Sequence, residues 1–291
     1  MNPYLLITLA TVMFSVQFAF IKKFQTLAGA GLKASFIYNV VSPIAYAVIM
    51  LALENFKLQF TPFVIITSLI WAVISNAITY FSIKSLSYCS ISNYSLFLLS
   101  GGMILPVIYG FFTGDEFGIF RVLGILLISF SILIKLNAEK PTKEAVFCYF
   151  AIFILNGLIS ILSSVYQGDL FAFAKPSATQ FSIIRAGATS ILGLACLVFI
   201  IPLERKTQRR PLKNYLKASS WALSGGAING VANLFLLFAL VSLDPSLQYP
   251  IVTGGNIFCS ALIGLAFKEI PDKKTWISVA VAVLGTVLMV L

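Results

Sequence analysis

The sequence predicts an all-α membrane protein with ten transmembrane helices in two inverted five-helix repeats. Three observations predict this class. Hydrophobic residues make up 59% of the 291 positions and charged residues only 10%, with no histidine, far from the composition of a soluble domain. The apolar residues gather into runs of membrane-spanning length joined by short polar connections. The two halves of the chain also share polar residues at matched spacing.

The apolar runs lie at 3–21, 32–53, 61–83, 90–113, 117–137, 144–167, 178–201, 216–243, 246–267 and 273–291. A hydrocarbon core of ~30 Å asks for about 20 residues of helix, and every run is close to that length or longer. None shows the period-two alternation of barrel strands, so the backbone must satisfy its polar groups within helices. The first run opens at Asn2-Pro3-Tyr4 with no basic stretch, and no small-residue cleavage signal follows it. It is therefore read as a retained helix. Asp244-Pro245-Ser246 reads as the cap and first turn of the ninth helix. Glu116 and Glu269 precede the fifth and tenth helices, where they can cap them or pair with basic residues at the membrane edge.

Lys and Arg distribute unevenly over this topology. The connections after spans 1, 3, 5, 7 and 9 hold Lys22, Lys23 and Lys33, then Lys84, then Lys135, Lys140 and Lys143, then the basic loop 202–217, then Lys268, Lys273 and Lys274. The opposite side holds Lys57, Arg121 and Lys175. The positive-inside rule makes the rich side cytoplasmic and turns both termini outward. The loop 202–217 either fixes this topology or attracts anionic head groups. A bacterial plasma (inner) membrane is the expected location. The basic residues form no aromatic-interleaved patch, so the formal charge of +10 does not imply nucleic acid. Cys89, Cys148, Cys196 and Cys259 show no metal or redox spacing and read as small packing residues.

The repeat runs through residues 1–138 and 139–291. FSIKSL at 81–86 matches FLLFAL at 235–240, Ser100-Gly101-Gly102 matches Thr253-Gly254-Gly255, and Glu116 matches Glu269 at the same offset as the glycines. Five helices per repeat is odd, so the second half enters the membrane from the opposite side. Transporters use such inverted repeats to expose one central site alternately to either face.

With these features the chain resembles the drug/metabolite transporter superfamily, in particular its EamA-like ten-helix branch. The resemblance covers essentially the whole chain. Ser85-Leu86 and Ala239-Leu240 stand at the ends of the third helix of each repeat, Glu116 and Glu269 after the fourth, and Arg185 on the second helix of the second repeat. The chain departs from the pattern in having Tyr38 and Asn39 near the place matching Arg185, and Pro106 in the first half only. Many members also place both termini in the cytoplasm. The resemblance implies a secondary transporter of a small metabolite, with a cavity between the repeats lined mainly by helices 1, 3, 4, 6, 8 and 9.

Arg185 lies about 10 Å into the seventh helix, seven residues at 1.5 Å each. A charge at membrane depth is costly and commonly functional. If Arg185 faces the cavity, its planar fork suits a carboxylate or phosphate; if not, it snorkels to the head groups. Every aspartate and glutamate falls at a helix end or in a connection. Proton-coupled export of hydrophobic cations through an embedded carboxylate is therefore disfavoured, and an anionic or zwitterionic substrate favoured.

Neutral polar residues within spans should face the bundle interior, since lipid exposure is costly. Asn76 with Tyr80, and Asn229 with Asn233, are four positions apart and share a helix face. These stripes are expected to line the substrate cavity, together with Arg185, Gln17, Asn156 and the aromatic rings of Tyr94 and Tyr249. Gly101, Gly102, Gly254 and Gly255 serve either as close helix contacts or as hinges.

The expected function is alternating-access transport of an amino acid or a related small organic anion or zwitterion. Alternatives are a phosphorylated or sugar-linked metabolite, with Arg185 as phosphate ligand, or a membrane receptor or scaffold that transports nothing. No nucleophile-base constellation or phosphate loop is present in the sequence, so an enzyme or ATP-driven pump is not expected. No metal site or cofactor is expected. The partners are a small-molecule substrate and the lipid bilayer, with homodimerisation left open.

Overall fold

The computed structural model describes residues 2–54, 57–113, 118–139, 141–167, 176–203, 210–240 and 245–289, and the backbone alone for 53, 137–139, 167, 201–203, 237, 240 and 245–250. Glu116, Asp169, Asp244, the segment 204–209 and the side chains of Gln248 and Tyr249 lie outside the described part.

Within it the chain forms helices α1 (Pro3–Ala28), α2 (Leu32–Leu53), α3 (Pro62–Ser85), α4 (Ile91–Thr113), α5 (Ile119–Glu139), α6 (Lys143–Gln167), α7 (Ala178–Leu203), α8 (Leu212–Leu240), α9 (Pro245–Ala266) and α10 (Lys273–Leu288). Each predicted run has its helix. The helices α1 to α7 supply the 7 that are long and apolar enough to cross a membrane, and α9 adds the shorter apolar stretch Ile251–Ala266. The protein is all-α among the described residues and has the apolar helices of an integral membrane protein.

Local sequence explains the helix starts. The Asn2 side chain accepts the Tyr4 N–H at 2.9 Å with Pro3 following, and Thr61 accepts the Val64 N–H at 3.3 Å with Pro62 following. Side-chain oxygens thereby take N–H groups that have no partner inside the helix, and proline fills a position that needs none. Two starts and ends differ from the runs. Helix α1 continues past Lys22 and Lys23 to Ala28, where Gly29 (φ 93°) turns the chain and donates its N–H to the Gln25 carbonyl. Helix α8 starts at Leu212 and includes Lys213 and Lys217. Long cationic side chains can reach water from a helix end, so apolarity stops before the helix does.

Polarity is arranged inside out. On α3, Ile66, Leu69 and Val73 are exposed, whereas Thr67, Ser68, Ala72 and Asn76 are buried. That is the arrangement lipid demands, with apolar side chains outward and polar ones inward.

The packing crosses between the two halves of the sequence. Helix α1 packs on α8 and α9, and α6 on α3 and α4; α2 packs on α7 and α8, and α3 on α7; α5 pairs with α10 and α4 with α9. Several crossings are made on glycine. A Cβ at Gly101 would meet the Phe153 carbonyl, one at Gly226 the Ser42 carbonyl, one at Gly254 the Thr286 hydroxyl and one at Gly255 the Thr11 methyl. Both glycine pairs therefore stand at helix contacts, where a missing side chain lets backbones approach.

Candidate functional site

Among the described residues three polar groups bear on the site, beside a sealed one in which Ser15 of α1 and Ser260 donate to Asn256 of α9. The first lies where α2, α3 and α7 meet. Asn39 donates through Nδ2 to Asn76 Oδ1 at 3.0 Å and accepts from the Thr79 hydroxyl at 2.8 Å. Asn76 donates to the Ala72 carbonyl at 2.9 Å and the Thr189 carbonyl at 3.3 Å. Both asparagines are nearly sealed, at 2% and 6% exposure, and a Cβ on Gly193 of α7 would crowd both. Pro43 on α2 has no N–H to offer the Asn39 carbonyl one turn earlier, which places a loosened backbone beside this cluster.

The second group lies between α1 and α8. Asn229 donates to Gln17 Oε1 at 2.6 Å, and Asn233 donates to the backbone and side-chain oxygens of Asn229 at 2.8 and 3.1 Å. All three are only half-buried. The Tyr38 hydroxyl of α2 faces Gln17 and Ser42 without a well-formed hydrogen bond. This strip keeps unused capacity: among the described residues, Asn233 Oδ1 accepts nothing.

The third group surrounds Arg185. Its guanidinium lies over the Trp71 ring, 3.8 Å from the centroid, with Phe181 at 5.5 Å. Phe181 stacks on Tyr166 at 3.9 Å, which stacks on Phe63 at 5.5 Å. The aromatic faces of α3, α6 and α7 thus form a shelf under the cation. Such a contact is worth about 0.5–2 kcal/mol. Arg185 is in neither of the ion pairs formed among the described residues, Lys22–Glu269 and Lys135–Asp272.

The remaining expected residues are dispersed. Asn156 of α6 donates to the Leu98 carbonyl at 2.7 Å and lies against Gly102, tying α6 to α4. Tyr94 is 2% exposed and meets Phe18 edge-on. Tyr80 is half-buried under Lys84, whose ammonium is 6.0 Å from its ring. The stripe Asn76–Tyr80 is therefore divided, with Asn76 in the sealed cluster. The stripe Asn229–Asn233 holds together and gains Gln17.

Sequence reasoning missed Thr79, Thr189, Trp71 and Tyr38. Thr79 was visible as the residue three positions after Asn76; Trp71 gave no signal, because its contact with Arg185 depends on how α3 meets α7. Glu269 pairs with Lys22 as one of its two expected roles, whereas the cap of α10 is Asp272, which accepts the Thr275 N–H at 2.8 Å. The Thr275 hydroxyl and that N–H bond, with Lys135 nearby, hold the Asp272 carboxyl below its ordinary value. Lys135, at the end of the fifth apolar run and counted with the basic side that follows it, lies within α5 at 3% exposure and bonds the Thr275 hydroxyl.

No family model matches this sequence, and no curated protein matches it. The fold does have a counterpart. A crystal structure described simply as that of a protein superposes with a TM-score of 0.65 at 15% identity, covering 97% of this chain and 95% of that one. At that identity the likeness establishes a shared fold along nearly the full length.

Proposed function

We propose that this chain is a secondary transporter of the drug/metabolite type, which moves an amino acid or related small organic anion or zwitterion by alternating access. The observation that carries the reading is the crossed helix pairing. If helices are matched five apart, the contact of α1 with α8 and α9 corresponds to that of α6 with α3 and α4. The contact of α2 with α8 likewise corresponds to that of α7 with α3, and the pairs α2–α7, α4–α9 and α5–α10 map onto themselves. A two-fold relation between inverted repeats produces such a pattern, and it supports ten spans with a central site between the halves.

The half-buried strip of Gln17, Asn229 and Asn233 offers hydrogen bonds to the polar ends of a small solute. Half-buried Arg185 on its aromatic shelf offers a planar cation to a carboxylate. A phosphorylated or sugar-linked metabolite is the second reading, favoured by the same fork, which also matches phosphate. The expected setting is a bacterial plasma membrane with the basic connections inside.

Thermal stability of the purified protein in detergent, measured against amino acids, organic acids, sugar phosphates and organic cations, tests the reading. Stabilisation by an anionic or zwitterionic compound, lost in Arg185→Ala, is expected. Stabilisation by cations, or by an anion equally in both proteins, contradicts the role given to Arg185. Absence of solute flux across reconstituted vesicles would favour a receptor.

A further inference from the structure

A charged node at the end of the bundle with the basic connections takes no part in the groups above. Lys22, near the end of α1, pairs with Glu269 of the α9–α10 turn at 3.5 Å, with both side chains only about a fifth exposed (18% and 21%). The same ammonium donates to the Leu86 carbonyl at 2.5 Å and the Cys89 carbonyl at 2.8 Å. An ammonium has three N–H groups, and three acceptors meet it here. Leu86 caps the end of α3, and the Ile91 N–H at the start of α4 donates to the other Glu269 oxygen at 2.7 Å. Each charge therefore sits at the helix end of complementary dipole.

The backbone aims Glu269 into this position. Helix α9 closes with the Glu269 N–H on the Gly264 carbonyl and the Lys268 N–H on the Leu265 carbonyl, both at 2.9 Å, and with Lys268 in the left-handed region at φ 61°. This is the Schellman closure, normally made on glycine. Beside the node the packing is loose. A cavity of ≈ 260 Å³ is lined by Ser90, Ser92, Lys135, Glu269, Asp272 and Thr275, and the buried Ser92 hydroxyl has no hydrogen-bond partner among the described residues. The node sits against Leu86 and Ile91, both fully buried in the main apolar core, so its charges are screened from water on that side.

We propose that Lys22 and Glu269 form a latch that closes this end of the transport pathway, an inference that rests on the transporter reading. Opening here requires α1 and the α9–α10 turn to part from the α3–α4 turn. The bonds to Leu86, Cys89 and Ile91 all cross that line, so they break together, and the Lys22–Glu269 pair holds both prongs on one side. The latch is a two-state element made of one ion pair and two helix ends.

Cys89 supplies the probe, because its carbonyl is a latch contact and its thiol is buried at 8% exposure, 3.9 Å from the Ser85 hydroxyl. The full chain with Cys148, Cys196 and Cys259 replaced by serine is placed in vesicles of both orientations and labelled with a membrane-impermeant maleimide. Lys22→Met and Glu269→Ala are expected to raise the Cys89 labelling rate about tenfold from one face alone, the face of the basic connections. Lys135→Met, which breaks the neighbouring pair without touching the node, is expected to leave it unchanged. Gel filtration and melting temperature verify that each variant is folded. Unchanged labelling in folded Lys22→Met and Glu269→Ala, equal gains from both faces, or an equal gain in Lys135→Met overturns the latch. Labelling is read without substrate, so these outcomes leave transport itself untouched, whereas missing flux in vesicles whose Cys89 responds overturns transport.

Discussion

At the junction of α2, α3 and α7, Asn76 spends its whole side-chain amide on protein partners, accepting from Asn39 and donating to the Ala72 and Thr189 carbonyls. Between α1 and α8, Gln17, Asn229 and Asn233 are half-buried and bond chiefly to one another. The residue types are alike, and the pairs Asn76–Tyr80 and Asn229–Asn233 have the same spacing. The difference lies in what is left over. A buried amide with every bond made fastens helices and has nothing for a ligand, whereas a half-buried strip with an unused oxygen can exchange its partners.

The comparison can be broken most severely at the crossing of α8 and α2, which lies between the two regions. Gly226→Leu would drive a side chain into the Ser42 carbonyl, which no rotamer can relieve because the obstacle is backbone. Loss of monodisperse protein on gel filtration is expected, and a variant with wild-type melting temperature would refute the close contact. Next in size is Asn76→Ala, which leaves the Asn39 amide and the Thr189 carbonyl buried with fewer partners. Destabilisation of about 1–3 kcal/mol is expected, seen as a lowered melting temperature with ligand response retained in the folded protein.

Asn233→Ala sharpens the contrast. Its cost in stability should stay within about 0.5 kcal/mol, as for a position without sealed partners, while stabilisation by the bound solute disappears. Equal effects of Asn76→Ala and Asn233→Ala on both readouts would erase the distinction. An effect on stability alone, with ligand response unchanged, belongs outside the membrane, at Asp272. Its carboxyl is held below its ordinary value chiefly by the Thr275 hydroxyl and N–H, so its ionised form stabilises the fold above the unfolded value, near 4, and that contribution fades as pH falls through the lowered folded value. Asp272→Asn keeps a capping oxygen, and the difference in melting temperature from the natural protein should shrink as the pH falls below about 4. The side chain is 57% exposed, so solvent screening keeps the effect under ~1 kcal/mol.

Much of the fold was legible because lipid imposes a simple rule on composition: apolar runs of sufficient length become helices, and all ten runs did. Helix ends were less legible where lysines intervene, since α1 continues through Lys22, which bonds inward to the α3–α4 turn, and Lys23, which is exposed. Of the candidate site, the grouping of Asn229 with Asn233 was readable from a spacing of four on one helix. The partition between Asn76 and the strip was not, because it depends on whether α2 supplies Asn39 to complete the amide. Nor could sequence show that Arg185 lies on Trp71, or that Lys135 is buried, because both follow from the crossing of helices distant in sequence. The glycines at 101–102 and 254–255, matched by spacing in the sequence, stand at contacts of α4 with α6 and of α9 with α10 and α1.

The most direct test of the account is counterflow in proteoliposomes, with radiolabelled amino acids and small organic acids outside and the unlabelled compound inside, for the natural chain, Asn233→Ala and Asn76→Ala. Accumulation of an anionic or zwitterionic solute by the natural chain is expected, with its loss in Asn233→Ala at unchanged melting temperature and its retention in the folded fraction of Asn76→Ala. Absence of accumulation of every compound, or loss in Asn76→Ala with full flux in Asn233→Ala, would contradict it.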